Sequence, residues 1–288
     1  MTNMENRLGL VLEGGGMRGI YTAGVLDEFM IHGIQVDGLV GVSAGILHGI
    51  SYISEQMGRN IRYCVKYRKD KRFMSMQSLI RTGNYCEEEF CYHEIPDKLN
   101  PFDYETFRKN AKDIEVYSCA TNLETGKGEY IRLYDVKSQI DAVRASASLP
   151  LVSENVEYEG MKLLDGGTAD SIPIDFMREK GFGRNIVILT RPAGYQKGPD
   201  RTMPLMKLKY KEFPRYVRAA AERQDSYNKT LERLKEYEAQ GEALILCPSR
   251  DLKVGRTEKN IDNVKRMYKL GRFDAQNRMD EILAYVKG

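Results

Sequence analysis

Short runs of consecutive apolar residues alternate along the first part of the chain with stretches whose apolar positions recur every three or four residues. Leu8-Gly9-Leu10-Val11-Leu12 is a continuous apolar run and predicts a buried strand. A glycine-rich loop, Glu13-Gly14-Gly15-Gly16-Met17-Arg18-Gly19, follows it. A helix is predicted next, with Ala23, Leu26, Phe29 and Met30 on one face, Asp27 and Glu28 pointing away, and Gly33 as its end. Val36 to Val40 reads as a second strand. It runs into Gly41-Val42-Ser43-Ala44-Gly45, and Ile46 to Ile53 opens another helix. Strand, loop, helix, strand, turn, helix is the alternation of an α/β fold: a mainly parallel central sheet with helices on both faces.

The pattern changes after this start. Residues 76–112 are polar and irregular and predict short helices over one side of the core, with Tyr104 to Ala111 the clearest. Ile114 to Ala120 reads as a core strand and Glu129 to Tyr134 as its hairpin partner around Thr125-Gly126-Lys127-Gly128. Ser138 is placed to cap a short helix reaching Ala145. Met161 to Leu164 predicts a strand that ends on Asp165-Gly166-Gly167. A helix over Ile174 to Lys180 and a buried strand over Asn185 to Thr190 follow. Beyond a Pro- and Gly-rich loop, Leu205 to Arg218 reads as a lid, a membrane-facing segment or a plain surface helix. Ala219 to Ala239 is a long charged helix ended by Gly241, and Ala243 to Cys247 a late strand. Residues 257–287 predict two helices broken near Gly271. The expected organisation is a catalytic core over 8–190 and a mainly helical extension over 191–288 packed on it, with no sharp boundary between them.

Charge and composition narrow the function. Forty-four basic against 41 acidic residues leave a net charge of +3, which supplies no global argument for nucleic acid. Five scattered cysteines without a C-x-x-C pair argue for a reducing compartment and against a disulfide framework. Cys86, Cys91 and His93 lack a fourth nearby ligand, so no metal is expected. The polar stretch Met1 to Arg7 does not have the order of a signal peptide, and no apolar run approaches the ~20 residues that span a bilayer. The expectation is a cytoplasmic protein. Residues 59–72 carry seven basic side chains and one acid, Asp70, interleaved with Tyr63, Val65 and Tyr67. They read as a solvated helix face, or as a patch for peripheral contact with an anionic membrane surface.

The chemistry centres on Ser43. G-x-S-x-G between a strand and a helix puts the serine on a sharp turn, where a Cβ at Gly41 or Gly45 would clash. The helix N-terminus behind it favours developing negative charge. The glycine loop has two readings. Gly14, Gly16 and Gly19 satisfy G-x-G-x-x-G, the dinucleotide fingerprint of an oxidoreductase. That reading needs an acid at the end of the second strand, whereas Asp37 opens that strand. The other reading is an oxyanion hole of backbone amides, with Arg18 as a fixed charge or a brace. It is preferred because it uses Ser43. Ser146 and Ser148, in the small-residue run Ala145 to Pro150, are rival nucleophiles without an elbow. A serine needs a base, and His32, His48 and His93 are the three histidines. None follows residue 93, which excludes the order Ser, Asp, His. His48 sits on the helix after Ser43 and points elsewhere. A carboxylate acting directly remains, and Asp165 is the best candidate, with Asp170 and Asp175 as alternatives.

These pieces, in this order, resemble the patatin-like phospholipase family over roughly residues 8–190. The loop Glu13 to Gly19, the elbow Gly41 to Gly45, the stretch Ala145 to Pro150 and Asp165-Gly166-Gly167 carry the resemblance. Glu13 departs from it, since the family often has aspartate there. The resemblance implies a three-layer architecture with Ser43 as nucleophile and Asp165 as base. Gly14, Gly15, Gly16, Met17 and Arg18 would form the oxyanion loop, and Gly19, Gly41, Gly45, Gly166 and Gly167 the turns. It implies hydrolysis of fatty acyl esters of lipids through an acyl-enzyme, without cofactor or metal. A non-catalytic lipid-binding protein would keep the same fold without turnover at Ser43.

Overall fold

The computed structural model describes residues 6–288. The expectation for Met1 to Arg7 therefore falls largely outside the described residues. Eight strands form one sheet: β1 (Leu8–Leu12), β2 (Gly38–Val42), β3 (Glu115–Asn122), β4 (Gly128–Leu133), β5 (Val156–Tyr158), β6 (Met161–Asp165), β7 (Arg184–Ile188) and β8 (Ala243–Leu246). Their order is β5-β6-β3-β2-β1-β7-β8, with β4 also paired to β3. The pairs among β3, β2, β1, β7 and β8 are parallel, and those of β3 with β4 and β6, and of β5 with β6, are antiparallel. The second strand lies two residues later than its apolar run suggested, because Asp37 accepts the Leu8 amide at 2.6 Å and so stands at the foot of the ladder.

The helices are α1 (Ile20–Ile31), α2 (Ala44–Ile53), α3 (Arg59–Lys66), α4 (Met76–Thr82), α5 (Tyr104–Asn110), α6 (Ile140–Ala147), α7 (Ile174–Glu179), α8 (Met203–Lys209), α9 (Pro214–Ala239), α10 (Ile261–Asn277) and α11 (Met279–Lys287), with a π-helical segment over Glu89–Leu99. The parallel strands are apolar on consecutive positions because both sheet faces are covered. Leu10, Leu39, Ile186 and Leu244 pack with α1, α2 and α10. Their neighbours Val11, Val40 and Val187 pack on the other face with α7 and α9. The result is the three-layer α/β architecture with a mostly parallel sheet. The segment after residue 190 adds β8 to the sheet, α9 to one face and α10 to the other.

Four local expectations are corrected. Asp27 and Glu28 do not face solvent, because α10 covers the side of α1 that carries them. Asp27 accepts from the Gly58 amide and Tyr268 Oη, and Glu28 from Arg272. Gly271 does not break the last helices; the break is at Arg278. A Cβ on Gly271 would lie 2.1 Å from Tyr21 O, and one on Gly24 2.2 Å from Tyr268 O, so these two glycines let α1 and α10 touch backbone to backbone. Ser138 does not cap α6; its hydroxyl turns to Asp135. The basic run 59–72 is only partly solvated, since Arg59 and Arg68 are buried and bond to the carbonyls of Asn100 and Glu258.

Candidate active site

Ser43 ends β2 and opens α2 with φ 55° and ψ −122°, a conformation that non-glycine residues rarely hold. The surrounding glycines make the turn feasible. A Cβ on Gly41 would lie 2.5 Å from the backbone of Ile46, and one on Gly45 2.4 Å from Leu12 O. The buried Ser43 amide donates to Ser146 Oγ at 2.8 Å. Ser146, fully buried on α6, therefore braces the elbow. Ser148 donates to Arg144 O and accepts, through its own carbonyl, the Asp165 amide at 2.8 Å.

Strand register brings Asp165 level with the serine. Val42 pairs with Cys119 on β3, and the next residue, Ala120, pairs with Asp165 on β6. Two strand spacings of about 4.8 Å separate β2 from β6. Asp165 is 4 % exposed. Its Oδ1 accepts the Gly167 amide at 2.8 Å, and its Oδ2 is buried with no hydrogen-bond partner among the described residues. A Cβ on Gly166 would strike Cys119 O at 2.1 Å, so this turn also depends on glycine. The alternative carboxylates are committed elsewhere: Asp170 accepts from Tyr130 Oη at 2.7 Å, and Asp175 pairs with Arg233 and Tyr237. His48 is buried, and its burial lowers its pKa to about 4. Asp37, at the opposite end of β2 from the loop, is out of place for a ribose.

The glycine loop is held by Glu13, whose Oε1 accepts from Tyr227 Oη at 2.8 Å and whose Oε2 accepts from Thr190 Oγ1 at 3.0 Å. Glutamate at this position is thus a buried brace. The Met17 amide donates to Arg256 O at 2.9 Å and the Arg18 amide to Gly15 O at 3.2 Å. Among the described residues the amides of Gly14, Gly15 and Gly16 have no such partner. Gly14 lies against the serine, since a Cβ there would be 3.1 Å from Ser43 Cβ. Gly16 has φ +56°, and Gly19 packs on Ala44. Met17 and Arg18 thus take part differently from the glycines: their amides are spent within the fold, and Arg18 offers its guanidinium.

Two cavities meet at Ser43. One, of about 120 Å³, is apolar and runs between α2, α3, the π-helical segment and α6, with Leu47, Tyr63, Phe73, Ile95 and Leu149 among its walls. Cys86 and Cys91, both free thiols, also line it. The other, of about 30 Å³, is polar and is lined by Ser43, Asp165, the glycine loop and four cations, Arg18, Lys197, Arg223 and Arg256. Burial, then Arg191, lowers the Arg18 pKa to about 10 against the opposing pull of Glu13. Burial, then Arg223 and Arg256, brings Lys197 to about 7. No local sequence signal marks these last three, because they come from separate loops and α9. Among the described residues no group of three or more His, Cys, Asp or Glu side chains converges on a metal position.

A sheet of this topology, with a Gly-x-Ser-x-Gly elbow at the end of an inner parallel strand and a buried aspartate across the cleft, defines a class of three-layer α/β proteins. Residues 10–178 match the family model described as patatin-like phospholipase. The chain belongs to the patatin-like phospholipase family. Residues 213–287 match a model described as a domain of unknown function, DUF6363. The uncharacterized protein YjjU of Escherichia coli is 32% identical over 190 residues, covering 65% of this chain and 53% of that protein. Lysophospholipase nte1 of Aspergillus niger is 30% identical over 184 residues, 62% of this chain and 11% of that protein. The chain thus spans about half of the first relative and about a tenth of the second. The crystal structure of VipD from Legionella pneumophila aligns over 96% of this chain and 67% of its own, at 12% identity and a TM-score of 0.47.

Proposed function

We propose that this protein is a serine acyl-ester hydrolase acting on fatty acyl esters of lipids through a Ser43–Asp165 dyad. The observation that carries the reading is Asp165 Oδ2, buried without a hydrogen-bond partner among the described residues, in the same cleft as a serine held at positive φ. A buried, unpaired carboxylate oxygen is costly for folding alone, so a proton acceptor role accounts for it. Family membership and the relative described as a lysophospholipase support the same chemistry.

Asp165 takes the Ser43 proton as Oγ attacks the ester carbonyl. The amides of Gly14, Gly15 and Gly16 receive the oxyanion, each such donor lowering the barrier by about 3 kcal/mol. Collapse expels the alcohol, which regains the proton from Asp165, and leaves an acyl-enzyme. Water, deprotonated by Asp165, attacks the acyl carbonyl and releases the fatty acid and free Ser43. The apolar cavity receives the acyl chain. No cofactor is needed for these steps. Residues 8–190 serve as the catalytic core, and 191–288 as an extension that completes the polar cleft.

Peripheral contact with a lipid surface has support in two short helices. Met76 and Ile80 on α4, and Leu205 and Leu208 on α8, are exposed. Both helices flank the strap 151–154 next to the cleft, through Tyr85 and Asn84 on one side and Lys209 and Tyr210 on the other. Lys207, Lys209 and Lys211 add positive charge there. No described helix is long and apolar enough to cross a membrane. The five free cysteines support a cytoplasmic setting.

The test is mass spectrometry after a fluorophosphonate probe, together with fatty acid release from lysophospholipid vesicles. One probe adduct and turnover in the native protein, both absent in Ser43→Ala, is the expected result. Lipid binding without Ser43-dependent turnover would replace the hydrolase with a lipid-binding protein.

A further inference from the structure

We propose that Cys86 and Cys91 form a modification site at which a hydroperoxide closes an intramolecular disulfide in the wall of the apolar cavity, and that this closure weakens the cavity's hold on an acyl chain. The disulfide does not depend on the hydrolase reading; its effect on turnover does.

Three free thiols line the apolar cavity, Cys64, Cys86 and Cys91, and the chemistry at Ser43 uses none of them. Cys64 is buried, and burial pushes its thiol up to about 12, so it stays protonated. Cys86 and Cys91 are half-buried and stand together. Cys86 lies in the bend just before the π-helical segment, and Cys91 lies in the first turn of that segment, its amide donating to Glu87 O at 2.9 Å. Cys91 Sγ reaches Arg72 O at 3.8 Å, and the same carbonyl accepts the Glu87 amide at 3.0 Å. The Cys91 thiol is thereby folded back to the backbone beside Cys86, and the two sulfurs are hydrogen-bond neighbours. Cys91 has one S–H, which turns to Arg72 O or to a Cys86 thiolate.

The thiolate, not the thiol, attacks a peroxide. Contact with the Cys91 thiol lowers the Cys86 pKa against the opposing pull of burial, and the Arg68 guanidinium and the Met74 amide act in the same direction. Arg68 is buried and donates to three carbonyls, Glu258 O at 2.7 Å, Phe73 O at 3.2 Å and Met74 O at 3.4 Å, so its charge is held near the sulfur without a carboxylate in these bonds. Cys91 is pushed the other way by its contact with Cys86, by burial and by the charges of Glu87 and Asp70. Cys86 is therefore the attacking sulfur and Cys91 the resolving one. The Cys86 thiolate attacks one oxygen of the hydroperoxide; S–O forms as O–O breaks, and the alkoxide or hydroxide leaves and takes up a proton. The Cys91 sulfur then attacks Cys86; S–S forms, S–O breaks, and hydroxide leaves with the Cys91 proton as water. The sulfurs lose two electrons and the O–O bond gains them. Bonding draws the bend at Cys86 toward the first turn of the π-helical segment. Phe90, buried with Tyr67 and Arg72 against its ring, and Tyr92, on the cavity wall, flank Cys91 and move with it. A wall packed this closely changes shape when such a shift is forced on it.

Native protein is treated with hydrogen peroxide in one arm and cumene hydroperoxide in the other, then mapped by peptide mass spectrometry. The expected product is a Cys86–Cys91 linkage that dithiothreitol reverses, with Cys64 still a free thiol. Cys91→Ser should stop at a sulfenic acid on Cys86, trapped with dimedone, and Cys86→Ser should give no adduct on Cys91. No linkage with either hydroperoxide, linkage only between chains, or a sulfenic acid on Cys91 in Cys86→Ser would overturn the proposal. The native map uses no variant, so it decides the matter even where a serine variant fails to fold. The cavity is read in Ser43→Ala protein titrated with a fluorescent fatty acid: oxidation should weaken binding about fivefold or more, and dithiothreitol should restore it. Equal affinity in the two forms, or binding in neither, would also overturn the proposal. Fatty acid release from lysophospholipid vesicles by the native protein should fall and recover in step. Disulfide formation and weakened fatty acid binding in a protein whose native Ser43 takes no probe leave the site standing without the hydrolase. Turnover at Ser43 in a protein that forms no disulfide leaves the hydrolase standing without the site.

Discussion

Ser146→Ala isolates the brace behind the elbow. Among the described residues the Ser43 amide donates to Ser146 Oγ alone, at 2.8 Å, and both residues are buried. Alanine removes the acceptor and leaves the same backbone, so a buried N–H loses its partner at a cost of about 1–3 kcal/mol. Ser43 also sits at φ 55°, a conformation costing about 1–3 kcal/mol that persists only where its surroundings enforce it. Relaxation of the elbow would recover part of that strain and displace Oγ from Asp165. The variant should therefore lose about 1–3 kcal/mol in urea unfolding, or less if the elbow relaxes, and then with a larger loss of kcat. Denaturation curves and fluorophosphonate labelling rates, measured on the same preparations, read both terms. Labelling should slow but remain, and it should stay on Ser43. An unfolding free energy and a labelling rate both equal to those of the native protein would refute the brace. Complete loss of the adduct in Ser146→Ala, with an adduct surviving in Ser43→Ala, would make Ser146 the nucleophile.

Asp165→Asn should lower turnover about 10²–10⁴-fold while leaving the urea midpoint near native, and near-native rates would exclude the dyad. Gly24→Ala should destabilise by about 1–3 kcal/mol despite alanine's better helix propensity, because its Cβ would lie 2.2 Å from the Tyr268 carbonyl, which no rotamer change relieves. Removing Arg272 by Arg272→Ala leaves Glu28, 1 % exposed, without its arginine partner; a cost of about 3 kcal/mol is expected in thermal or urea unfolding, and a cost below about 0.5 kcal/mol, the size of an ordinary surface substitution, would contradict the packing of α10 on α1. His48 is kept neutral by burial, with a folded pKa of about 4 against 6.5 when unfolded. The unfolded chain thus binds a proton that the native state refuses, so stability is fully present above pH 6.5 and is lost as pH falls toward 4. The size is about 3 kcal/mol, and His48→Leu should remove that slope relative to the native protein.

Much of the fold was legible because local pattern and tertiary demand agree. The all-apolar runs at β1, β2 and β7 mark strands covered on both faces, and the sterics of Gly41, Gly45 and Gly166 are written in turns short enough to read residue by residue. The scarcity of histidine pointed from Ser43 to a carboxylate, and the register of β2, β3 and β6 places Asp165 level with the serine. What the chain could not reveal locally depends on distant segments meeting. Asp27 and Glu28 look like solvent positions on α1 until α10 arrives with Arg272 and Tyr268. Gly271 resembles a helix break when its reason is the backbone of Tyr21. Ser146 reads as a rival hydroxyl until α6 sets it under the elbow amide. Lys197, Arg223 and Arg256 carry no motif, and only the closing of α9 and two loops over the glycine loop turns them into one charged wall. Periodicity and turn chemistry act over a few residues and are encoded there. Burial, charge pairing and the meeting of two cavities at Ser43 act across the whole chain, and only the tertiary structure decided them.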